Sequence, residues 1–182
     1  MIEGYNMTKN YDQTIVDKGK VGEIKLTSWF QRNNMSFFPI NQSPETFAHL
    51  FSKNIKRPDF FVLLESLGMI AVDAKNYSLS GGCFTLSKME IKHAMAFEMF
   101  TRMSFWFAYL HIHNNGSIVW YWINVFRALD AGVSRVNGET EEEFLAIKKC
   151  DFLPIASQHD LGLLFSQPSH LHSVPKILSA DI

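Results

Sequence analysis

Hydrophobic and polar residues follow two different periods along this chain, and the changes of period predict its elements. A period near 3.6 predicts one helix from about Lys18 to Asn34 and another that opens at Ser87 and runs to about Arg102. A short helix is expected from Pro44 to Lys53, because proline is favoured in a first helical turn. Apolar runs bounded by turn residues predict strands over 35–40, 60–64, 69–74, 104–110 and 117–123, with a further sheet edge within 144–155.

The helix that opens at Ser87 has a recognisable start. Ser87 followed three residues later by Glu90 forms the pattern of a capping box. Its apolar stripe is expected to comprise Met89, His93, Ala96, Phe97 and Phe100.

The ends of the chain lack this periodicity. Residues 1–16 are polar and aperiodic, and the segment from Gln158 onward is rich in Ser, His and Pro. We therefore expect an N-terminal arm over 1–17, a single domain over 18–156 and a C-terminal tail over 157–182. The unbroken apolar strand over 104–110 predicts a sheet covered on both faces, and the mixture of helices and hairpins predicts an α/β or α+β fold with helices on a central mixed sheet.

The stretch from Arg57 to Asn76 reads as a hairpin with charged residues at its open end. Asp59 and Asp73 lie seven residues on either side of the turn residue Ser66. Because positions equidistant from a turn face each other in an antiparallel pair, the two carboxylates are expected side by side. Lys75 follows on the same face, roughly 6.6 Å further along. Two acids and a lysine on one surface suit a hard divalent cation and a water activated beside it.

Composition narrows the choice of partners. The 182 residues are 47% hydrophobic with a net charge of −1, so nucleic-acid binding would need a local basic patch or a metal that offsets the acids. Two cysteines favour reduced thiols over a disulfide scaffold, although one bridge stays possible. No secretory signal and no membrane-spanning stretch is visible, which predicts a cytoplasmic protein.

Pro58-Asp59, thirteen intervening residues and Asp73-Ala74-Lys75 resemble the signature of the PD-(D/E)XK nuclease superfamily, which includes restriction enzymes and Holliday junction resolvases. The order of predicted elements over 18–110 is similar to that family's αβββαβ core, so the resemblance implies an α/β fold of the restriction-endonuclease type.

The resemblance also implies a role for each residue. Asp59, Asp73 and the Ala74 carbonyl would bind Mg²⁺ (Mn²⁺ is the alternative), with Glu23 of the first helix as an added or water-mediated ligand. Lys75 would orient or deprotonate the attacking water. The weaker candidates are substrate contacts on the motif, the loop after it and the next helix: Arg57, Asn76, Tyr77, Lys88 and Lys92.

The predicted function is metal-dependent hydrolysis of DNA phosphodiesters to leave a 5′-phosphate, by a protein compatible with a homodimer. Two alternatives stay open: a catalytically silent binding or scaffold module of the same fold, and a phosphodiesterase acting on RNA. Two other groups are weaker still. His111 and His113 share one face of a strand but lack a third metal ligand with suitable spacing, and Cys83 lacks a partner that would mark it as a nucleophile.

Overall fold

A computed structural model describes residues 5–43, 54–65 and 68–165 of the chain. The predicted helix over 44–53 and the turn residues Ser66 and Leu67 lie outside the described residues. The described helices are α1 (Tyr5–Arg32), α2 (Lys88–Thr101) and α3 (Val125–Ala131), with 3₁₀ turns at Lys149–Asp151 and Gln158–Phe165. The described strands are β1 (Ser36–Pro39), β2 (Phe60–Leu64), β3 (Gly68–Lys75), β4 (Cys83–Ser87), β5 (Phe105–Ile112), β6 (Ile118–Asn124), β7 (Val133–Val136), β8 (Glu143–Lys148) and β9 (Leu153–Ile155).

The strands form one large and one small sheet. The large sheet has the order β1-β2-β3-β5-β6-β9, in which β3 and β5 are parallel and the other neighbours are antiparallel. This mixed central sheet with helices on its faces confirms the predicted α/β class, and α1, β1, β2, β3, α2 and β5 follow one another as predicted. Strand β4 was not predicted: it falls between β3 and α2 and joins β8 and β7 in a second sheet.

The central strand β5 has apolar neighbours on both sides, as its unbroken apolar sequence predicted. Trp106, Ala108 and Leu110 pack in one core cluster with residues of α1. Phe105, Phe107 and Tyr109 pack in a second cluster with residues of α2, α3 and the small sheet. Because side chains of a strand alternate between faces, this one strand supplies both halves of the core.

The predicted limits of the first helix and the predicted face of the second were wrong. Helix α1 starts at Tyr5, so it contains most of the segment expected to be an aperiodic arm; absence of an apolar stripe did not prevent a helix there. On α2 the buried residues are Ile91, Ala94 and Phe97, whereas Met89 and Phe100 are exposed. Polar contacts also orient α2: Glu98 accepts a hydrogen bond of 2.8 Å from the Phe105 N–H, and Glu90 contacts Lys56 and Lys75. The apolar residues of the helix did not reveal these contacts.

Candidate active site

The β2–β3 hairpin has the register that the sequence predicted. Phe60 pairs with Val72 and Leu64 pairs with Gly68, which places Asp59 and Asp73 one position beyond the last ladder pair. The Asp59 carboxylate accepts a hydrogen bond of 2.8 Å from the Ala74 backbone N–H. The first acid of the motif is therefore fixed directly against the strand that carries the second.

Asp73 lies at the centre of a buried charge cluster. Asp73 is only 2% exposed. Oδ1 lies 2.9 Å from Lys56 Nζ, and Oδ2 lies 2.8 Å from Lys75 Nζ. Although Oδ2 is close to Lys75, it forms no well-directed hydrogen bond with any described group. One oxygen of a buried carboxylate thus keeps unused acceptor capacity.

Glu90 completes the cluster. Its Oε1 accepts a short charged hydrogen bond from Lys75 and lies 3.1 Å from Lys56 Nζ. Ser87 caps α2 as predicted, by accepting from the Met89 N–H, but the predicted return bond from Glu90 is replaced by these lysine contacts. A charged partner binds a carboxylate more strongly than a backbone N–H does, which explains the replacement.

The surroundings shift the pKa values of the acids in opposite directions. Burial, reinforced by the neighbouring Asp73 charge, raises the pKa of Asp59 to about 8. The pKa of Glu23 is raised by burial and then by Asp73. Burial alone would raise the pKa of Glu90 as well, but Lys75 and Lys56 lower it to about 2. The carboxylates near Asp73 repel one another, and a cation bound between them would reduce this repulsion.

Both lysines are held in the charged form. Burial would lower the pKa of Lys75, but Asp73 and Glu90 together raise it well above its usual value. The same pair of acids raises the pKa of Lys56 against the effect of burial. These contacts keep the proton on Lys75, and a base must first lose its proton; the role of Lys75 stays a prediction.

These residues open into a cavity of about 350 Å³ at the end of β3. The cavity is lined by Lys18, Gly19, Glu23, Lys56, Asp59, Asp73, Ala74, Lys75, Asn76 and Tyr77. Helix α1 reaches it because Gly22 leaves room for Asn76, whose Cβ lies 3.1 Å from where a Gly22 side chain would begin. Asn76 also donates to the Lys18 carbonyl at 2.9 Å. The approach of α1 explains how Glu23, distant in sequence, comes to the same cavity.

Three of the predicted substrate contacts do not line this cavity. Arg57 is buried and donates from Nε to the Gln42 side chain at 3.0 Å. Lys88 Nζ lies 3.2 Å from Glu143 on β8, and Lys92 is exposed on α2. Their roles as substrate contacts stay predictions, and among these candidates only Asn76 and Tyr77 lie at the cavity.

Within the described residues, no three His, Cys, Asp or Glu side chains are grouped closely enough to hold a metal ion. The oxygen donors at the cavity are nevertheless of the type that Mg²⁺ prefers, in which one or two carboxylates are completed by other oxygens. Asp59 and Asp73 are adjacent, Asp73 Oδ2 has free acceptor capacity, and Ala74 and Glu23 line the same space. The donor set therefore fits a divalent cation held by two carboxylates and completed by other oxygens.

Sequence reasoning missed Lys56 and assigned Glu90 to the wrong contact. Lys56 precedes the motif by only three positions, but a lysine in a loop carries no signal that distinguishes it from a solvated one. Glu90 had a signal, since it is an acid in the first turn of α2, the next helix along the chain after the charged end of the hairpin. The capping-box pattern offered a simpler explanation for the same residue.

A second polar cluster lies at the end of the β5–β6 hairpin. The rings of His111 and His113 are 4.7 Å apart at nearly a right angle. Lys149 Nζ lies 3.2 Å from His111 Nε2 and 4.6 Å from the centre of the Tyr121 ring. An ammonium group at Nε2 competes with a metal for that nitrogen, which argues against the histidine metal site considered from the sequence. Cys83 is a free, partly buried thiol.

Comparisons with known proteins include a likeness to a solved structure. No protein-family model matches the chain, and no curated protein matches it. The structure is similar to that of the Holliday junction resolvase Hjc from Archaeoglobus fulgidus, with a TM-score of 0.49 and 13% identity over 76% of this chain and 95% of that one. Holliday junction resolvases are among the members of the superfamily that the sequence motif resembles. A likeness of this degree carries no argument about function, and the function proposed below is argued from the side chains of the site.

No helix in the described parts of the chain combines the length and the apolarity needed to cross a bilayer.

Proposed function

We propose that this chain is a divalent-metal-dependent nuclease that hydrolyses phosphodiester bonds in DNA. The observation that carries the proposal is the buried Asp73, which lies beside Asp59 in the hairpin register and 2.8 Å from a charged lysine. A buried anion and a fixed cation at the mouth of a polar cavity are costly to assemble, and such arrangements are concentrated at functional sites.

Asp59, Asp73 and the Ala74 carbonyl would hold Mg²⁺, with Glu23 bound directly or through water. Bound there, the cation would supply a hydroxide-like water and neutralise charge on the phosphate. Lys75 stays protonated, orients the water and stabilises the negative charge that grows on the phosphate oxygens. The water oxygen forms a bond to phosphorus while the bond from phosphorus to the 3′ oxygen breaks. The 3′ oxygen leaves with a proton, and the product carries a 5′-phosphate.

The test is cleavage by the purified protein with Mg²⁺ or Mn²⁺ on supercoiled, linear, single-stranded and four-way-junction DNA and on RNA. We expect cutting of DNA that a chelator abolishes. Lys75→Met should reduce the rate at least about a hundredfold, since loss of one group that stabilises a transition state costs this much. Asp73→Asn should do the same. Lys148→Met, at an exposed position of β8 that does not line the cavity, is the matched control for loss of one lysine.

The scaffold alternative is favoured by one observation: two lysines of the protein itself, Lys56 and Lys75, offset the charge of Asp73. It predicts that the wild type cuts no substrate and that calorimetry detects no divalent-ion binding. Cleavage of RNA alone would instead support the RNA-directed phosphodiesterase. Loss of cutting in Lys148→Met equal to that in Lys75→Met would contradict the role assigned to Lys75.

A further inference from the structure

Lys56 places a second ammonium group on the carboxylate that the proposed function assigns to a metal. Its Nζ lies 2.9 Å from Asp73 Oδ1 and 3.1 Å from Glu90 Oε1. The backbone is fixed at this point, because the Lys56 N–H donates to the His93 carbonyl at 3.0 Å. Lys56 therefore starts from an anchored position and extends its side chain into the charge cluster.

The two lysines of the cluster differ in their freedom to move. The Lys75 side chain is 8% exposed and lies 5.8 Å from the centre of the Phe107 ring, within the core. Both side chains line the cavity, but that of Lys56 is 23% exposed. If one ammonium group leaves Asp73, Lys56 is the one with space to do so.

The contacts of Asp73 show why a dication would displace Lys56. Each carboxylate oxygen already faces a lysine, with Oδ1 at 2.9 Å from Lys56 Nζ and Oδ2 at 2.8 Å from Lys75 Nζ. A dication that binds Asp73 therefore places three cationic centres around one buried carboxylate. Repulsion at such short distances in a partly buried site is far stronger than in water.

We infer that Lys56 is an internal cation that occupies Asp73 in the metal-free protein, gives way when a divalent ion binds, and is retained at the site by Glu90. This inference rests on the proposed function for its metal. It assigns Lys56 a positioning role: the lysine keeps the acidic cluster neutralised and folded before metal arrives, at the expense of metal affinity. Glu90, which already contacts Lys56, keeps the displaced ammonium group beside the cavity.

The test is the affinity for Mn²⁺, measured by calorimetry or by paramagnetic resonance of the free ion. Lys56→Met removes the competing charge while keeping the length of the side chain. We expect it to bind Mn²⁺ at least about tenfold more tightly than the wild type, since a close charge pair at a partly buried site is worth that much or more. Lys56→Arg keeps the charge and should stay near the wild-type affinity.

Lys18→Met is the matched control, because Lys18 lines the same cavity but makes no ion pair with a described residue. It removes an equal charge at the rim and should change the affinity less than about threefold, since solvent screens rim charges. Circular dichroism and a denaturant midpoint with and without Mn²⁺ show whether Lys56→Met is folded; a folded variant should gain more stability from the ion than the wild type does.

Affinity of Lys56→Met within about twofold of the wild type would overturn the inference, and so would a gain no larger than that of Lys18→Met. Failure of the proposed function has a different signature. In that case Mn²⁺ binds and responds to Lys56 as expected, but no nucleic acid is cut. Absence of Mn²⁺ binding in the wild type and in folded Lys56→Met would overturn both.

Discussion

The hairpins β2–β3 and β5–β6 of the large sheet each have a cluster with a lysine at one end, but the two lysines have different partners. Lys75 belongs to β3, whereas Lys149 comes from the 3₁₀ turn that follows β8. At the end of β2–β3, Lys75 contacts Asp73 and Glu90, and the site is buried. At the end of β5–β6, Lys149 contacts a histidine nitrogen and an aromatic ring, and the site is partly exposed. The hairpins are joined through the parallel pair β3–β5, in which Lys75 lies opposite Tyr109.

The difference shows that the groups in contact with the lysine, more than the lysine itself, decide the charge state of each cluster. Carboxylates raise the pKa of Lys75 and hold a buried positive charge in place. At the other hairpin, burial and then Lys149 lower the pKa of His111, so the imidazole stays neutral and its Nε2 can accept from the ammonium group. The first cluster is a fixed array of ions, and the second is a neutral ring beside a cation. Breaking each cluster should therefore have effects of different size.

The largest effect is expected for Asp73→Ala. It leaves Lys56 and Lys75 without their shared carboxylate, and removal of one partner from a buried ion pair costs about 3–5 kcal/mol. The free energy of unfolding from urea titrations at neutral pH measures the loss. Asp151→Ala breaks a more exposed pair with Arg127 and should cost about 1 kcal/mol or less. Similar losses in the two variants would show that the Asp73 cluster is not effectively buried.

An intermediate effect is expected for Glu90→Gln, and it should depend on pH. The pKa of Glu90 is lowered from 4.5 to about 2 in the folded protein, so its ionised form stabilises the fold above about pH 4.5. That stabilisation is lost as the pH falls from about 4.5 towards 2. Urea midpoints of Glu90→Gln should thus lie below those of the wild type at pH 7 and approach them at pH 3.

The control for this pH series is Glu143→Gln, which removes a carboxylate that pairs with Lys88 in a 59%-exposed position. It should lower the midpoint at pH 7 only slightly. A constant gap between Glu90→Gln and the wild type from pH 7 to pH 3 would contradict the assigned role of the two lysines.

The smallest effect on stability is expected for Lys149→Ala at the other hairpin. It removes a contact with an aromatic ring, which is worth about 0.5–1 kcal/mol at an exposed site. The pKa of His111 should rise, because Lys149 is one of the charges that lower it. Nuclear magnetic resonance titration of the imidazole measures this shift, and Lys148→Ala, on an exposed neighbour, should leave it unchanged. A fall in the pKa of His111 would show that the ring does not accept from Lys149.

The parts of the fold that sequence predicted are those governed by local rules. Asp59 and Asp73 are equally far from Ser66 along the sequence, which is why the sequence alone predicts the register that pairs Phe60 with Val72. The apolar run of β5 predicted a strand covered on both faces. The prediction of the buried face of α2 was wrong, because the rotation of this helix follows the ionic and hydrogen-bond contacts that Glu90 and Glu98 make with residues distant in sequence. Strand β4 was missed, because its partner β8 lies about sixty positions later in the chain.

By itself, the sequence determined that two carboxylates and a lysine meet at the end of one hairpin, since register and side-chain direction follow from local geometry. Only the tertiary structure decided what surrounds them. It brought Glu90 from α2 to Lys75, Lys56 from the preceding loop to Asp73, and Glu23 to the cavity through the close approach at Gly22. These contacts join residues that no periodic pattern connects, because they depend on how the elements pack and on the need of each buried charge for a partner.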